Sequence, residues 1–420
     1  MKRRAREICK TVIILMLLLS VAMLSLTAVS YSGAELPFLT NLTSRLRGEA
    51  YQPPIKAQEL ALTDAAVPSL ISVRTEAGRT SFWGMQGEQS GVYETLGGYL
   101  AEALDTAGEP ASAPPAALQS AAMGDSLLFR FPGEIPLPAL AAWMDASCDT
   151  ELSASLFLLE AGESAVRLFL SGESGCFVMK TQAAAGPLLR ALRSYPDDGT
   201  RLAAETGDAV YDRLNPLTLV DPSMVSIPAA HSANPCDETF LTAAAESLGF
   251  NPYGDASYRD AAGNLVFTEA DCSLWANADG EVILKSQSQS GRFRAAGSDD
   301  GACIEYVRAL LDSMSAGKLG DASLQFAGIN REDGRATVKF TYYLAGLPVI
   351  QSGGAAAEAQ FNGAALTELR FRVRAYTVSQ TEKIALLPPA QTAAALEDGA
   401  SLRLSYADRG EEKLNAGWLR

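Results

Sequence analysis

From Thr11 to Val29 the chain, TVIILMLLLSVAMLSLTAV, carries no charged side chain, and no other stretch limits its possible folds as strongly. Wound as a helix, a segment of this length crosses the roughly 30 Å hydrocarbon layer of a bilayer, where every backbone polar group must be satisfied internally. Lys2, Arg3, Arg4, Arg6 and Lys10 precede it. Because such basic flanks stay in the cytoplasm, everything after Ser30 is expected on the outer side of the cell membrane. A cleaved signal peptide is the competing reading, since Ala28-Val29-Ser30 offers a small-residue cleavage site. The length of the apolar run favours an uncleaved, single-pass anchor. Cys9 comes before the run, so the chain has no lipoprotein signature.

Beyond the anchor, 420 residues with 48% hydrophobic and 20% charged side chains predict several folded domains rather than a disordered tail. The net charge is −15, and the basic stub holds five of the positive charges, so the exported remainder is more acidic still. Such a surface repels nucleic acid and anionic headgroups, and no nucleic-acid partner is expected. Cys148, Cys176, Cys236, Cys272 and Cys303 are an odd, widely spaced set with no C-x-x-C pair, which suits small core residues better than a disulfide framework.

The pattern along the chain predicts an α+β protein: an N-terminal transmembrane helix, then an extracytoplasmic multi-domain region of antiparallel sheets packed by helices, its last two units architecturally repeated. Residues 1–10 form the cytoplasmic stub, 11–29 the membrane helix and 30–58 a stalk broken at Pro37 and Pro53-Pro54. Residues 59–222 form an α+β domain. Val92, Leu96, Leu100 and Leu104 predict a helix across residues 92–107, and strands are expected at 126–131, 153–160, 165–171 and 176–181, with a helix over 137–146 between the first two. The four prolines between Asn215 and Pro235 read as a connector. The middle unit, 223–297, opens with the apolar helix face Phe240, Leu241, Ala244, Ala245 and Leu248. The last unit, 298–420, opens with Ile304, Val307, Leu310, Leu311 and Met314. Each continues into strands, with hairpins at Gly280 and at Asn362-Gly363, where both central residues are expected at positive φ. In the last unit Val338, Phe340, Tyr342 and Leu344, and then Leu369, Phe371 and Val373, alternate with polar residues, the period of a sheet packed on one side by the 304–314 helix.

Chemistry is sparse. His231 is the single histidine and lies in the Pro-rich connector, so it would have to serve alone in any Ser-His or Cys-His mechanism. Asp299-Asp300 lacks the register of a cation loop and suits a helix N-terminus. The turn around Lys318 lacks the frame of a phosphate loop. Trp418 reads as an anchor for the last strand, with an interface position as the alternative. No catalytic, cofactor-binding or metal-ligating residue is assigned. The stripe Arg370, Arg372 and Arg374 is the candidate interaction surface, for an acidic partner or an anionic wall polymer, beside its plainer reading as the wet side of a sheet.

The order of parts, with FLTAAAESLGFNPYGDASYRDAAGNLVFTEADCSLWANADGEVILK after the connector, YYLAGLPVIQSGG and AQFNGAALTELRFRVRAY near the end, and Trp418 close to the terminus, resembles the YycH family. These are membrane regulators associated with the WalK/WalR (YycG/YycF) two-component system, and the C-terminal unit is also similar to YycI. The resemblance implies a non-enzymatic regulator of a sensor histidine kinase of WalK type. It would act with a YycI-like protein through transmembrane and extracytoplasmic contacts that modulate cell-wall homeostasis. A membrane-anchored module that binds a cell-wall polymer or lipid intermediate is the alternative.

Overall fold

The computed structural model describes residues 65–419 apart from 66, 85–89, 222, 224–225, 253–256, 270, 288–290 and 316. The expected stub, membrane helix and stalk, at 1–10, 11–29 and 30–58, lie outside the described residues. Among the described residues no helix is long and apolar enough to cross a membrane. What is described is a mixed α+β structure built on two large sheets, antiparallel except for a single pair of strands.

The first sheet has seven antiparallel strands: β1 (Leu70–Thr75), β2 (Gly78–Trp83), β3 (Ala111–Ser112), β4 (Ser126–Pro136), β5 (Ser153–Ala161), β6 (Ala165–Gly172) and β7 (Gly175–Ala184). Their order is β2-β1-β4-β5-β6-β7-β3. Strands β4 and β5 are apolar on both faces because both are covered. Leu127, Phe129, Phe157, Leu159 and Leu168 point into one layer with Tyr93, Leu96 and Leu100 of the Ser90–Asp105 helix and Leu188 of the Ala185–Leu192 helix. Leu128, Leu158 and Phe169 point the other way, onto Leu118 and Ala122 of the Pro115–Met123 helix. At about 25 cal/mol per Å² of apolar surface, this two-sided burial is the main force holding the domain. The expected 137–146 helix forms over Leu137–Trp143, entered through Pro136 and Pro138.

The connector carries more structure than its prolines suggest. Two short strands, β8 (Arg201–Leu202) and β9 (Leu219–Val220), pair with each other, and Ser226–Ala233 forms a full strand, β10. The reading of 215–235 as a connector is corrected here. Pro228 sits at a register shift between β10 and its partner, the kind of position where a missing N–H costs no ladder bond.

The second sheet holds eleven strands: β11 (Ser257–Arg259), β12 (Leu265–Glu269), β13 (Cys272–Ala276), β14 (Glu281–Ser286), β15 (Ser323–Glu332), β16 (Arg335–Leu344), β17 (Leu347–Gln351), β18 (Ala357–Asn362), β19 (Ala365–Arg372), β21 (Arg403–Asp408) and β22 (Asn415–Leu419). The strand between them, β20 (Ala375–Ala385), leaves the sheet to pair with β10. The order is β11-β12-β13-β14-β19-β18-β16-β17-β21-β22, with β15 on β16. Read outward from the antiparallel β14–β19 pair, the arrangement is two-fold: β13, β12 and β11 on one side, β18, β16 and β15 on the other. Each half follows a helix, Glu238–Ser247 or Asp300–Ser315, and the two helices touch. The strands of 223–297 and 298–420 thus belong to one continuous sheet. Among the described strands, β17 and β21 alone pair in parallel.

At the second hairpin, Asn362 is the last paired residue of β18, opposite Ala365, so the turn residues are Gly363 and Ala364. Gly363 has φ of +58° and Asn362 does not adopt a positive φ, which corrects the expected Asn-Gly turn by one residue.

The two sheets meet closely. A Cβ on Gly133 of β4 would stand 1.8 Å from the carbonyl oxygen of Ala327 on β15, so only glycine permits this approach. Beside it Trp143 packs edge-on against Phe326 and its indole N–H donates to Glu305 of the Asp300–Ser315 helix.

Candidate functional site around Arg372 and Arg374

Strand β19 places the expected stripe as its pattern requires: Leu369, Phe371 and Val373 are buried, while Arg370, Arg372 and Arg374 point away from the core. The three arginines then part company. Arg370 is exposed and ion-paired with Glu368, and that pairing, with Glu281 and Glu358 nearby, holds its guanidinium pKa above the usual value. Arg372 and Arg374 instead border a cavity of about 310 Å³, together with Asp279, Glu281, Gln351 and Asp408.

The floor of this cavity is a buried polar network drawn from four strands and the loop after β19. Asp408, at the end of β21, is 4% exposed. Its Oδ2 accepts from the Tyr376 hydroxyl at 2.8 Å and its Oδ1 from the Gly410 amide at 2.8 Å. Tyr376 in turn accepts from Gln351 Nε2 at 3.0 Å. The hydroxyl of Tyr342 donates to the Arg372 carbonyl at 2.9 Å and accepts from the Arg374 amide at 3.1 Å, which pins the end of β19. Arg374 donates from Nη1 to the Asp279 carbonyl at 2.6 Å, with Nε 3.8 Å from Asp408 Oδ2. Burial pushes the phenols of Tyr342 and Tyr376 well above the ordinary tyrosine range, and for Tyr376 the hydrogen bond to Asp408 adds to the rise.

Two atoms of this wall are buried without a hydrogen-bond partner, Arg372 Nη1 and Gln351 Oε1. One is a donor, the other an acceptor, and an unmade buried hydrogen bond costs about 1–3 kcal/mol. With two guanidinium groups and three carboxylates around it, the cavity is suited to a group that both donates and accepts, such as a peptide amide, more than to a simple anion. Among the described residues no group of three or more His, Cys, Asp or Glu side chains is placed to bind a metal ion.

The other residues singled out lie elsewhere. His231 sits half-buried on β10, opposite Thr377. Asp299 caps the Asp300–Ser315 helix by accepting from the Ala302 amide, and Asp300 pairs with Arg331. Lys318 is exposed in a turn. Trp418, on β22, packs edge-on against Trp83 of the first sheet at 5.9 Å and donates to the Leu387 carbonyl. All five described cysteines are free, and Cys176, Cys272 and Cys303 are buried.

Sequence reasoning did not find Gln351, Tyr376 or Asp408. They come from separate segments of the chain: the parallel β17–β21 pairing sets Gln351 opposite Asp408, and Tyr376, from β20, meets both through its hydroxyl. Compared with known proteins, the chain matches no family, no curated protein and no solved structure.

Proposed function

We propose that this chain is a non-enzymatic, single-pass membrane regulator of a two-component sensor histidine kinase, of the YycH kind. Its order of parts carries the reading: a basic stub, the uncharged Thr11–Val29 run, an α+β domain, then two helix-plus-sheet halves joined at β14–β19. The physics of such a regulator is simple. A helix in the bilayer associates with others by close packing, and an ectodomain held to the same membrane meets its partner at a high effective concentration. Contacts that favour one kinase conformation by 1–3 kcal/mol, a typical coupling energy of about this size, shift its activity five-fold or more. In this proposal the chain acts with a YycI-like partner, and its control of the kinase bears on cell-wall homeostasis.

The Arg372–Arg374 cavity favours a second reading, a membrane-anchored module that binds an envelope component, since its unpaired Gln351 and Arg372 atoms suit an amide-bearing ligand. Photo-crosslinking from Arg374 and from Glu358, on the neighbouring strand, in cells separates the two. Adducts to a sensor kinase or a second membrane regulator support the first reading. Adducts confined to wall material support the second and overturn the first.

A further inference from the structure

A different cavity, of about 230 Å³, lies where the edge of the first sheet meets β16, β17 and β21. Its walls are mostly apolar, with Leu70, Trp83, Phe131, Leu347, Leu402 and Leu404 among them. Two of its lining residues are arginines, Arg130 and Arg403. Arg130 leaves β4 on the face opposite Phe129 and Phe131, and its strand neighbours on either side are Leu70 and Leu156. Its guanidinium donates to the Leu217 carbonyl at 3.0 Å, and among the described residues no carboxylate pairs with it or with Arg403. Burial and the adjacent Arg403 charge push the Arg130 guanidinium down to about 10, so it remains a cation at neutral pH in a place that disfavours one. Ser405, 1% exposed and also on the cavity wall, has a hydroxyl with no hydrogen-bond partner.

This arrangement is unusual for this chain. Acids outnumber bases 49 to 34 in the full sequence, yet among the described residues none forms an ion pair with these two arginines. A half-buried guanidinium next to apolar walls, with the exposed Arg403 cation beside it, is costly to the folded protein unless something neutralises it. The missing partner must carry an anionic head that can accept from both guanidinium groups, and a tail that prefers Leu, Trp and Phe to water. At roughly 30 Å³ per water-sized group, the cavity holds about seven or eight methylenes. Exposed Ile350 and Arg403 mark its mouth.

We propose that this cavity binds a single-chain amphiphilic anion of the medium-chain fatty-acid class, its carboxylate held between Arg130 and Arg403 and its tail against Trp83 and the leucines. The site goes beyond the regulatory reading and does not rest on it, because binding is measured on the purified chain whatever its partner. Carboxylate–guanidinium bonds are the strong, charge-assisted kind, so the head group decides affinity here while the tail decides location.

Trp83 lines the cavity and reports on it. The full-length chain in nanodiscs of zwitterionic lipid is titrated with octanoate brominated at its terminal carbon, which quenches nearby tryptophan. The expected result is saturable quenching, most of it lost in Trp83→Phe, with affinity about tenfold or more weaker for the equally brominated octanol. Arg130→Met should weaken octanoate by a similar factor while the ligand-free protein melts no lower, since an uncompensated cation has been removed. Arg403→Met, at the exposed mouth, gives the same test without touching the interior. Equal affinity for octanoate and octanol, quenching unchanged in Trp83→Phe, or full octanoate affinity in Arg403→Met overturns the proposal.

Discussion

Removing one oxygen from Tyr376 tests whether the polar floor of the Arg372–Arg374 cavity holds the second sheet together. The ring is fully buried and Phe fills the same space, so Tyr376→Phe leaves no void to complicate the result. It deletes the donor to Asp408 Oδ2 and the acceptor for Gln351 Nε2. Hydrogen bonds to charged groups contribute about 1.5–3 kcal/mol and neutral ones about 1 kcal/mol, and Asp408 keeps its bond from Gly410, so the expected loss is about 2–3 kcal/mol. Tyr406 provides the control. It is equally buried but makes a single hydrogen bond, to the uncharged Pro228 carbonyl at 2.9 Å, and Tyr406→Phe should cost about 1 kcal/mol. Native-state hydrogen exchange on the full chain reads both as a drop in the opening free energy of amides in β17 and β21, with β5 amides as an internal reference. A Tyr376→Phe effect no larger than that of Tyr406→Phe would refute the reasoning.

Three further outcomes follow from the same contacts. Burial holds the phenols of Tyr93, Tyr342, Tyr343 and Tyr376 far above the ordinary range and that of Tyr406 up to about 12. Because the unfolded chain ionises these groups from about pH 10 while the folded chain keeps them neutral, stability is fully present below about pH 10 and falls above it. Unfolding should therefore coincide with the late rise in tyrosinate absorbance, and tyrosinate forming well before unfolding would contradict the burial. Gly133→Ala should separate the two sheets, since its Cβ has no room beside Ala327, and limited proteolysis should then release the first domain at lower denaturant; an unchanged pattern argues against that contact. Trp143→Ala, which loses the Phe326 and Glu305 contacts, should cost about 2–4 kcal/mol for a half-buried ring, read as faster exchange in β15.

What could be read from the sequence was set by how local each cause is. Strands β4 to β7 were legible within a few residues because their apolar runs and turns are contiguous. The β19 stripe was legible because period two is a property of the strand itself. Strands β1 and β2 gave no such signal. Arg79 on β2 is 1% exposed and paired with Glu205, a partner supplied from far along the chain, so a charged residue that reads as surface is in fact interior. β10 was hidden by Pro228, which sequence reasoning takes as a breaker and the fold accommodates at a bulge. The candidate site divided in the same way. The direction of Arg370, Arg372 and Arg374 was local, whereas the separation of Arg370 from the other two depends on Glu368 and on the distant Asp408 and Gln351.

The regulatory proposal stands on contacts made both in the bilayer and outside it. Its most direct test replaces residues 11–29 with an unrelated membrane helix while keeping the ectodomain, and measures kinase-dependent reporter output at matched protein levels beside wild type and a deletion. Specific helix packing supplies contacts that tethering alone cannot, each worth about 0.6–2 kcal/mol. The account predicts that the swapped form folds and reaches the membrane yet controls the reporter only partly, between wild type and deletion. Full control by the swapped form would contradict the membrane contact, and a deletion indistinguishable from wild type would contradict the regulator itself.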